Sequence, residues 1–307
     1  MVQRTQIEGG LWGLLVGDAL GVPYEFSDPS RIPAGEPMSM EPPAGFARAH
    51  RGTPPGTWSD DGAQALCLLD SLLERGRLDV DDLGERMSRW YFDGYLAVDQ
   101  RVFDVGVTTS YGLRQLSAGV PASQSGRTDD QSNGNGSLMR VLPLALWHRG
   151  SDEELVDDAH AQGLVTHGHP RSQVCCALYC LWARRLAAGR SDAWGEAVAE
   201  LRAIYRTRPE FERELEWSVR PDDLSPGTGS GYVVDSLRSA RWALEQGSYE
   251  EAVRASIRLG HDTDTTACIA GGAAGVRDGV EAIPARWLSA LRGRELVTPL
   301  LDALLAR

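Results

Sequence analysis

The chain of 307 residues is long enough for two average domains or for one large helical or barrel domain, so length alone leaves the domain count open. All 31 basic residues are arginine, against 43 acidic ones, for a formal net charge of −12. Without a single lysine the chain cannot carry lysine Schiff-base or pyridoxal phosphate chemistry, a P-loop GxxxxGK[ST] or the kinase β3 lysine, and the acidic balance argues against a sequence-independent grip on nucleic-acid phosphates.

Apolar residues recur at helical spacing along most of the chain and strand-like alternation is scarce. Helices are predicted over 8–19, 60–75, 82–92, 106–118, 137–148, 152–163, 170–188, 192–205, 230–246, 249–258, 264–275 and 296–306, which makes the fold all-α. The opening MVQRTQIEGGLWGLLVGDALGV has its apolar run broken by glycines and Asp18 and lacks a small-residue cleavage site. No later segment offers 18 uninterrupted apolar residues, so neither a leader nor a membrane span is predicted and the protein reads as cytoplasmic. Trp12, Trp90, Trp147 and Trp242 fall at core positions of these helices. The five cysteines contain no CxxC and are odd in number, and are read as buried thiols. Two Pro/Gly-rich stretches, 29–55 and 221–231, flank the residues that carry chemistry, as loops on a rigid scaffold do. They are read as site loops rather than linkers, giving one domain over 1–307, and no 20–50-residue repeat suggests a solenoid.

Two aspartate clusters stand at predicted helix starts. Ser59-Asp60-Asp61-Gly62 precedes the apolar run 65–73, and Gly260-His261-Asp262-Thr263-Asp264-Thr265-Thr266 precedes 267–275. Capping explains one acid at each place, since a carboxylate in a first turn gains about 0.3–1 kcal/mol from the helix dipole, but it gives no need for pairs. If the clusters meet, like charges about 4 Å apart repel by about 4 kcal/mol at an effective dielectric of 20, and the site calls for a cation. Carboxylate and hydroxyl oxygens without Cys or His at ligand spacing favour Mg²⁺, then Mn²⁺ or Ca²⁺, over Zn²⁺. Spacing alone leaves capping and metal binding both open.

Two rival readings fail within the sequence. An EF-hand loop starting at Asp262 needs Gly at Ala267 and Glu at Ala273. An aspartyl-phosphate phosphatase needs a strand before its DxDx[TV] and a lysine after it, whereas 249–259 is helical in pattern and the chain is lysine-free.

In order along the chain stand Gly17-Asp18-Ala19-Leu20-Gly21 with Glu25, Thr57-Trp58-Ser59-Asp60-Asp61, Asn133-Gly134-Asn135-Gly136-Ser137-Leu138-Met139-Arg140, Thr166-His167, Gly231-Tyr232-Val233-Val234-Asp235, and Gly260 to Thr265 followed by Ile283-Pro284-Ala285-Arg286-Trp287. From about residue 8 to residue 290 this set resembles the ADP-ribosylglycohydrolase family. The resemblance implies an all-α domain with a binuclear Mg²⁺ centre, Mn²⁺ being the substitute. The implied reaction hydrolyses the glycosidic bond between ADP-ribose and an acceptor on a protein or small molecule, an arginine side chain being favoured, and so reverses mono-ADP-ribosylation. Position by position, it implies Ser59, Asp60 and Asp61 as one set of metal ligands and Asp262, Asp264 and Thr265 as the other. The first cluster more often reads Thr-Asp-Asp-Thr in this family; here Ser59 keeps the hydroxyl and Gly62 lacks a polar group.

The resemblance further places Glu25 and Asp104 near the scissile bond, against readings as a loop acid and as the N-cap of the helix from Gly106. Gly134, Asn135, Gly136 and Ser137 are read as opening a helix whose N–H groups cradle the pyrophosphate, with His167 on phosphate or ribose and Tyr232, beside Gly227, Gly229 and Gly231, at the adenosine end. His169 is read as a residue at a helix start before Pro170, and Arg140 and Arg286 as partners for a charge or a phosphate. A non-catalytic binder or crystallin-like member of the same fold is the competing expectation. Such members lose ligands, whereas all six metal positions are filled here. No membrane partner is expected, and nucleic acid only as an ADP-ribosylated substrate. Serine, a metabolite or a base remain open as acceptors.

Overall fold

The computed structural model describes residues 3–33 and 38–307; residues 34–37 of the predicted loop 29–55 lie outside the described residues. The described residues form helices and loops without a sheet, with two isolated β-bridges, Arg127 to His167 and Gly134 to Tyr232. The helices are α1 Arg4–Gly21, α2 Asp60–Arg75, α3 Val80–Asp93, α4 Val107–Ser117, α5 Ala122–Ser125, α6 Leu142–Trp147, α7 Asp152–Gly163, α8 Pro170–Ala187, α9 Ala193–Tyr205, α10 Pro209–Arg213, α11 Val233–Leu244, α12 Tyr249–Arg258, α13 Thr263–Asp278, α14 Ala285–Ala290 and α15 Arg294–Leu305. No described helix is long and apolar enough to cross a membrane. Buried side chains from Ile7 to Leu304 form one continuous core, which holds all five cysteines and, among the tryptophans, Trp12, Trp90 and Trp147. Trp242 packs against its edge.

The centre of that core is the pair α1 and α13. Glycine recurs every fourth residue along α1, at Gly9, Gly13, Gly17 and Gly21, and therefore forms a stripe on one face. α13 answers in antiparallel order with Gly275, Gly271 and Ala267. A Cβ on Gly9 would stand 2.2 Å from the Gly275 carbonyl oxygen, one on Gly13 2.5 Å from that of Gly271, and one on Gly17 2.0 Å from that of Ala267. The two backbones thus lie in direct contact. Gly21, at the C-terminal end of α1, is brought against the backbone of Thr263 and Asp264. Buried tyrosines bind carbonyls of both helices: Tyr249 donates to Gly13 at 2.9 Å and Tyr179 to Ile269 at 2.8 Å.

Most predicted helices are present within a few residues. The predicted helix 137–148 is shortened to α6. Residues 136–141 turn instead, because the Asn135 carbonyl accepts from both Leu138 and Met139. The short α5, α10 and α14, and the π-helical turn Glu214–Val219, were not read from the sequence. His169 is the N-cap of α8, its Nδ1 accepting from Arg171 N at 3.1 Å.

Candidate active site

Two helix N-termini and the C-terminal end of α1 converge on one buried point. Ser59 caps α2, its hydroxyl accepting from Asp61 N at 3.3 Å. Asp18, fully buried on α1, accepts from Ser59 N at 2.9 Å and from Gly62 N at 2.8 Å, so α1 holds the first turn of α2 by its backbone. Gly62 packs closely here, since a Cβ would meet the Leu15 and Trp58 side chains at 2.8 and 2.9 Å and fits only if they shift. From α13, the Thr265 hydroxyl donates to Asp61 Oδ2 at 3.3 Å, joining the two aspartate clusters across 204 residues of sequence.

The carboxylates that meet here exceed the local donors. Asp60 accepts from Gln64 at 2.8 Å, Asp262 from Asn135 at 2.8 Å, and Asp264 Oδ1 from Thr265 N at 2.9 Å. Asp61 Oδ1 and Asp264 Oδ2 are buried with no hydrogen-bond partner among the described residues. Burial first, and the neighbouring carboxylates second, push Asp60, Asp61 and Asp264 well above the usual carboxylate range. Burial also raises Asp18 to about 7 against its backbone donors. Glu25, Asp262 and Asp264 each bring a carboxylate oxygen within 4.8 Å of the others. An all-oxygen set containing orphaned, ionisable atoms fits a hard divalent cation, which would relieve both the repulsion and the missing partners.

Glu25 follows the short 3₁₀ turn Val22–Tyr24 after α1 and is 6% exposed, so it is not a solvated loop acid. Burial, with the fields of Asp104 and Asp262, raises it to about 10. Its Oε2 lies 2.5 Å from His50 Nε2. Asp104 sits at φ +60° with Oδ1 3.7 Å from His50 Nε2, and burial raises it to about 6. Gly106 is the N-cap of α4 and receives no side-chain cap, so the N-cap reading of Asp104 is corrected.

A cleft of about 560 Å³ opens from these acids. Glu25, Asp60, Asp104, Asp262 and Thr265 line it together with Gly134, Asn135, Gly136, His167 and the first turn of α4. The Asn135 N–H donates to Gly231 and Val233 N–H to Asn133, so the 133–137 turn and the start of α11 brace each other. This turn opens no helix, and Ser137 lies beneath the surface, its hydroxyl accepting from Cys176 Sγ at 3.5 Å. Arg140 is fully buried, which corrects its reading as a partner for a charge or a phosphate. It donates to Gln64, Gly136, Gln162 and Thr166, all neutral, while Gln64 in turn holds Asp60. His167 Nδ1 meets Thr166 Oγ1 at 2.8 Å, and burial beside Arg140 lowers His167 to about 3, so its ring is neutral. Tyr232 is the N-cap of α11, half exposed, with its phenol hydrogen-bonded to Arg171; from that segment Ser230 and Gly231 line the cleft. Arg286 pairs at the surface with Glu250 at 2.5 Å, away from the cleft.

Asp18 and His50 hold the site though the sequence assigns them no role, and Arg140 holds it through neutral partners rather than through the charge or phosphate expected of it. Asp18 lay in a quoted motif with no role, and His50 had no local pattern at all. Arg140 carried one signal, four neighbours in a polar Asn/Gly/Ser turn.

The chain matches the ADP-ribosylglycohydrolase family over residues 2–307. It is 31% identical over 303 residues to ADP-ribosylarginine hydrolase Tri1 of Serratia proteamaculans (97% of this chain, 78% of that protein). It is 30% identical over 304 residues to ADP-ribosyl-[dinitrogen reductase] glycohydrolase of Rhodospirillum rubrum (97% and 95%), and 25% over 336 residues to human ADP-ribosylhydrolase ARH3 (95% and 90%). Among solved structures it superposes on an ADP-ribosylglycohydrolase-related protein complex with a TM-score of 0.74 at 31% identity, covering 99% of this chain and 98% of that one.

Proposed function

The chain belongs to the ADP-ribosylglycohydrolase family and is an ADP-ribosyl-acceptor hydrolase, and from that premise we propose that it is a Mg²⁺-dependent enzyme that releases ADP-ribose from an arginine-linked acceptor. The observation that carries the metal reading is the pair of buried oxygens Asp61 Oδ1 and Asp264 Oδ2, without a hydrogen-bond partner among the described residues, next in sequence to the cleft-lining Asp60 and Thr265. Ser59, Asp60, Asp61, Asp262, Asp264 and Thr265 would hold two divalent ions, Mg²⁺ or Mn²⁺ in its place. Such ions, when bound, supply positive charge that orients ribose hydroxyls and water.

The rest of the chemistry belongs to side chains. Glu25 is buried in the cleft wall, where its carboxyl can pass a proton to the leaving nitrogen. Water adds to the anomeric carbon as the glycosidic bond breaks, and the neighbouring carboxylates stabilise the oxocarbenium charge that develops. Asp104 is the second acid, available to take the proton that water releases. Elsewhere in the cleft wall, Gly134, Gly136 and the first turn of α4 offer backbone N–H groups to the pyrophosphate in a chain that has no lysine for the task, whereas the Asn135 N–H is held by Gly231 and Ser137 is buried. Arg140 can only donate, so we assign the Thr166 hydroxyl proton to His167 Nδ1, which leaves Nε2–H toward Gly134 and Gly136 as a further phosphate donor. Tyr232 and loop 221–231 serve the adenosine end. The acidic wall favours a cationic acceptor, and two relatives named for protein or arginine substrates point the same way.

The test is incubation with Mg²⁺ and a panel of arginine-, serine- and nucleotide-linked ADP-ribose, scoring free ADP-ribose with and without chelator. Arginine-linked conjugate is expected to turn over fastest and only with the metal present. Equal turnover in chelator removes the metal from the reading, and preference for another linkage removes arginine.

A further inference from the structure

His50 stands behind the acid rather than in the cleft: Glu25 lines the cleft and His50 does not. Its Nε2 binds Glu25 Oε2 at 2.5 Å and lies 3.7 Å from Asp104 Oδ1, so one ring nitrogen touches both acids assigned to the proton steps. The ring is itself held between two others, with centroids 5.7 Å from Phe26 and 5.1 Å from Phe103. Phe26 follows Glu25 and Phe103 precedes Asp104, so the three rings join the two acid-bearing segments through a third loop.

That loop is tied down independently. Ala49 N donates to Pro23 O at 3.0 Å, Thr53 N to His50 O at 2.7 Å, and Arg48 to Thr53 O at 2.7 Å, while Arg101 donates to Gly52 O. Three non-glycine residues with positive φ meet here, Phe26 at +59°, His50 at +46° and Asp104 at +60°. Such backbone persists only where surrounding contacts fix it, and it clusters at functional sites.

From this geometry we infer that His50 is a positioning residue: by engaging Glu25 Oε2 it fixes the carboxyl so that Oε1 is the oxygen presented to the glycosidic bond. The inference rests on the reading of Glu25 as the proton-handling acid. A carboxyl at the end of a side chain with three rotatable bonds otherwise samples several orientations, and displacement of about 1 Å from the productive geometry costs up to about 100-fold in rate.

The experiment compares His50→Ala, His50→Phe, His50→Gln, Glu25→Gln and the double variant Glu25→Gln/His50→Ala with the wild type, in Mg²⁺, by kcat, KM, calorimetric ADP-ribose affinity and melting temperature. His50→Phe keeps the packing between Phe26 and Phe103 and removes the hydrogen bond; it should lower kcat about 10- to 100-fold with KM and ADP-ribose affinity unchanged. His50→Gln, which can still hydrogen-bond Glu25, should recover much of that loss. In the double variant the His50 change should cost nothing beyond Glu25→Gln, because it acts through the acid that is already gone. A wild-type rate for His50→Phe overturns the inference while leaving Glu25 in place, as does an equal cost of His50→Ala with and without the Glu25 carboxylate. A wild-type rate for Glu25→Gln overturns the reading of Glu25 itself.

Discussion

Removing divalent cations should make the stability of this protein fall as pH rises. Asp18 is an ordinary carboxylic acid in the unfolded chain, with a value of 3.8, and is raised to about 7 by burial in the fold. Between those values the folded protein keeps a proton that the unfolded chain has released, so each unit of pH costs about 1.4 kcal/mol of stability per such group. From about pH 5 to about pH 7, Asp18 alone removes about 2 kcal/mol. Glu25, raised to about 10, and Asp104, raised to about 6, act in the same direction. At about 2–4 °C per kcal/mol for large domains, the chelated protein should melt roughly 6 °C or more lower at about pH 8 than at about pH 5. Millimolar Mg²⁺ should restore most of that loss at the higher pH, because a cation bound only by the folded state favours the ionised cluster. Asp264→Asn, which takes one carboxylate out of the crowd, should flatten the slope. Scanning calorimetry in buffers with and without chelator measures all three. A melting temperature that is level or rises between these pH values in chelator, or that Mg²⁺ leaves unchanged at the higher pH, refutes the reasoning.

Asp61→Ala and Asp264→Ala should each abolish turnover and weaken ADP-ribose binding, whereas Ser59→Ala, which removes a neutral ligand that water replaces, should be milder; full activity of either aspartate variant in chelator-treated buffer contradicts the ligand assignment. Glu25→Gln should keep ADP-ribose affinity in calorimetry while hydrolysis falls by about 10²–10⁴, the usual range for a positioned acid; a wild-type rate would move the role to Asp104. Gly17→Ala, which sets a Cβ 2.0 Å from the Ala267 carbonyl oxygen, should cost about 1–3 kcal/mol or more and lower activity from a residue that touches no substrate. Gly163→Ala, whose Cβ would meet only atoms 3.9 Å away, is the neutral control for both stability and rate.

The aspartate clusters were legible in the sequence because each doubles as a helix start: an N-cap followed by first-turn acids is a local pattern, and a second acid in that turn exceeds what capping requires. Glu25 and Asp104 were legible only through their resemblance to a family, since neither sits in a local pattern that fixes its partner. Arg140 was misread as a partner for a charge or a phosphate because a cation in a polar turn ordinarily finds one; its burial among Gln64, Gln162 and Thr166 depends on segments that the sequence places far apart. The helix predicted from 137 failed at Ser137, whose burial against Cys176 holds the chain in a turn. The glycine stripe of α1 is present as a four-residue spacing, but a spacing of glycines does not by itself name the helix that packs against it. His50 carried no signal at all, because a lone histidine in a proline-rich loop gains its meaning only from the carboxylate beside it.

The α1–α13 seam also bears on when the site can exist during synthesis. The Thr263 hydroxyl binds the Gly21 carbonyl across 242 residues of sequence. At ribosomal rates of about 5–20 residues per second, α1 has been made on the order of 10–50 s before its glycine face has a partner. Through that interval Asp18 and the α2 aspartates already exist, but the wall carrying Asp262, Asp264 and Thr265 does not. On the ligand assignment proposed above, a nascent chain would have half a ligand set, too few oxygens to retain a hard cation against water. A cation could then not template the early fold, and its capture would follow the docking of α13, which lies in the last sixth of the chain.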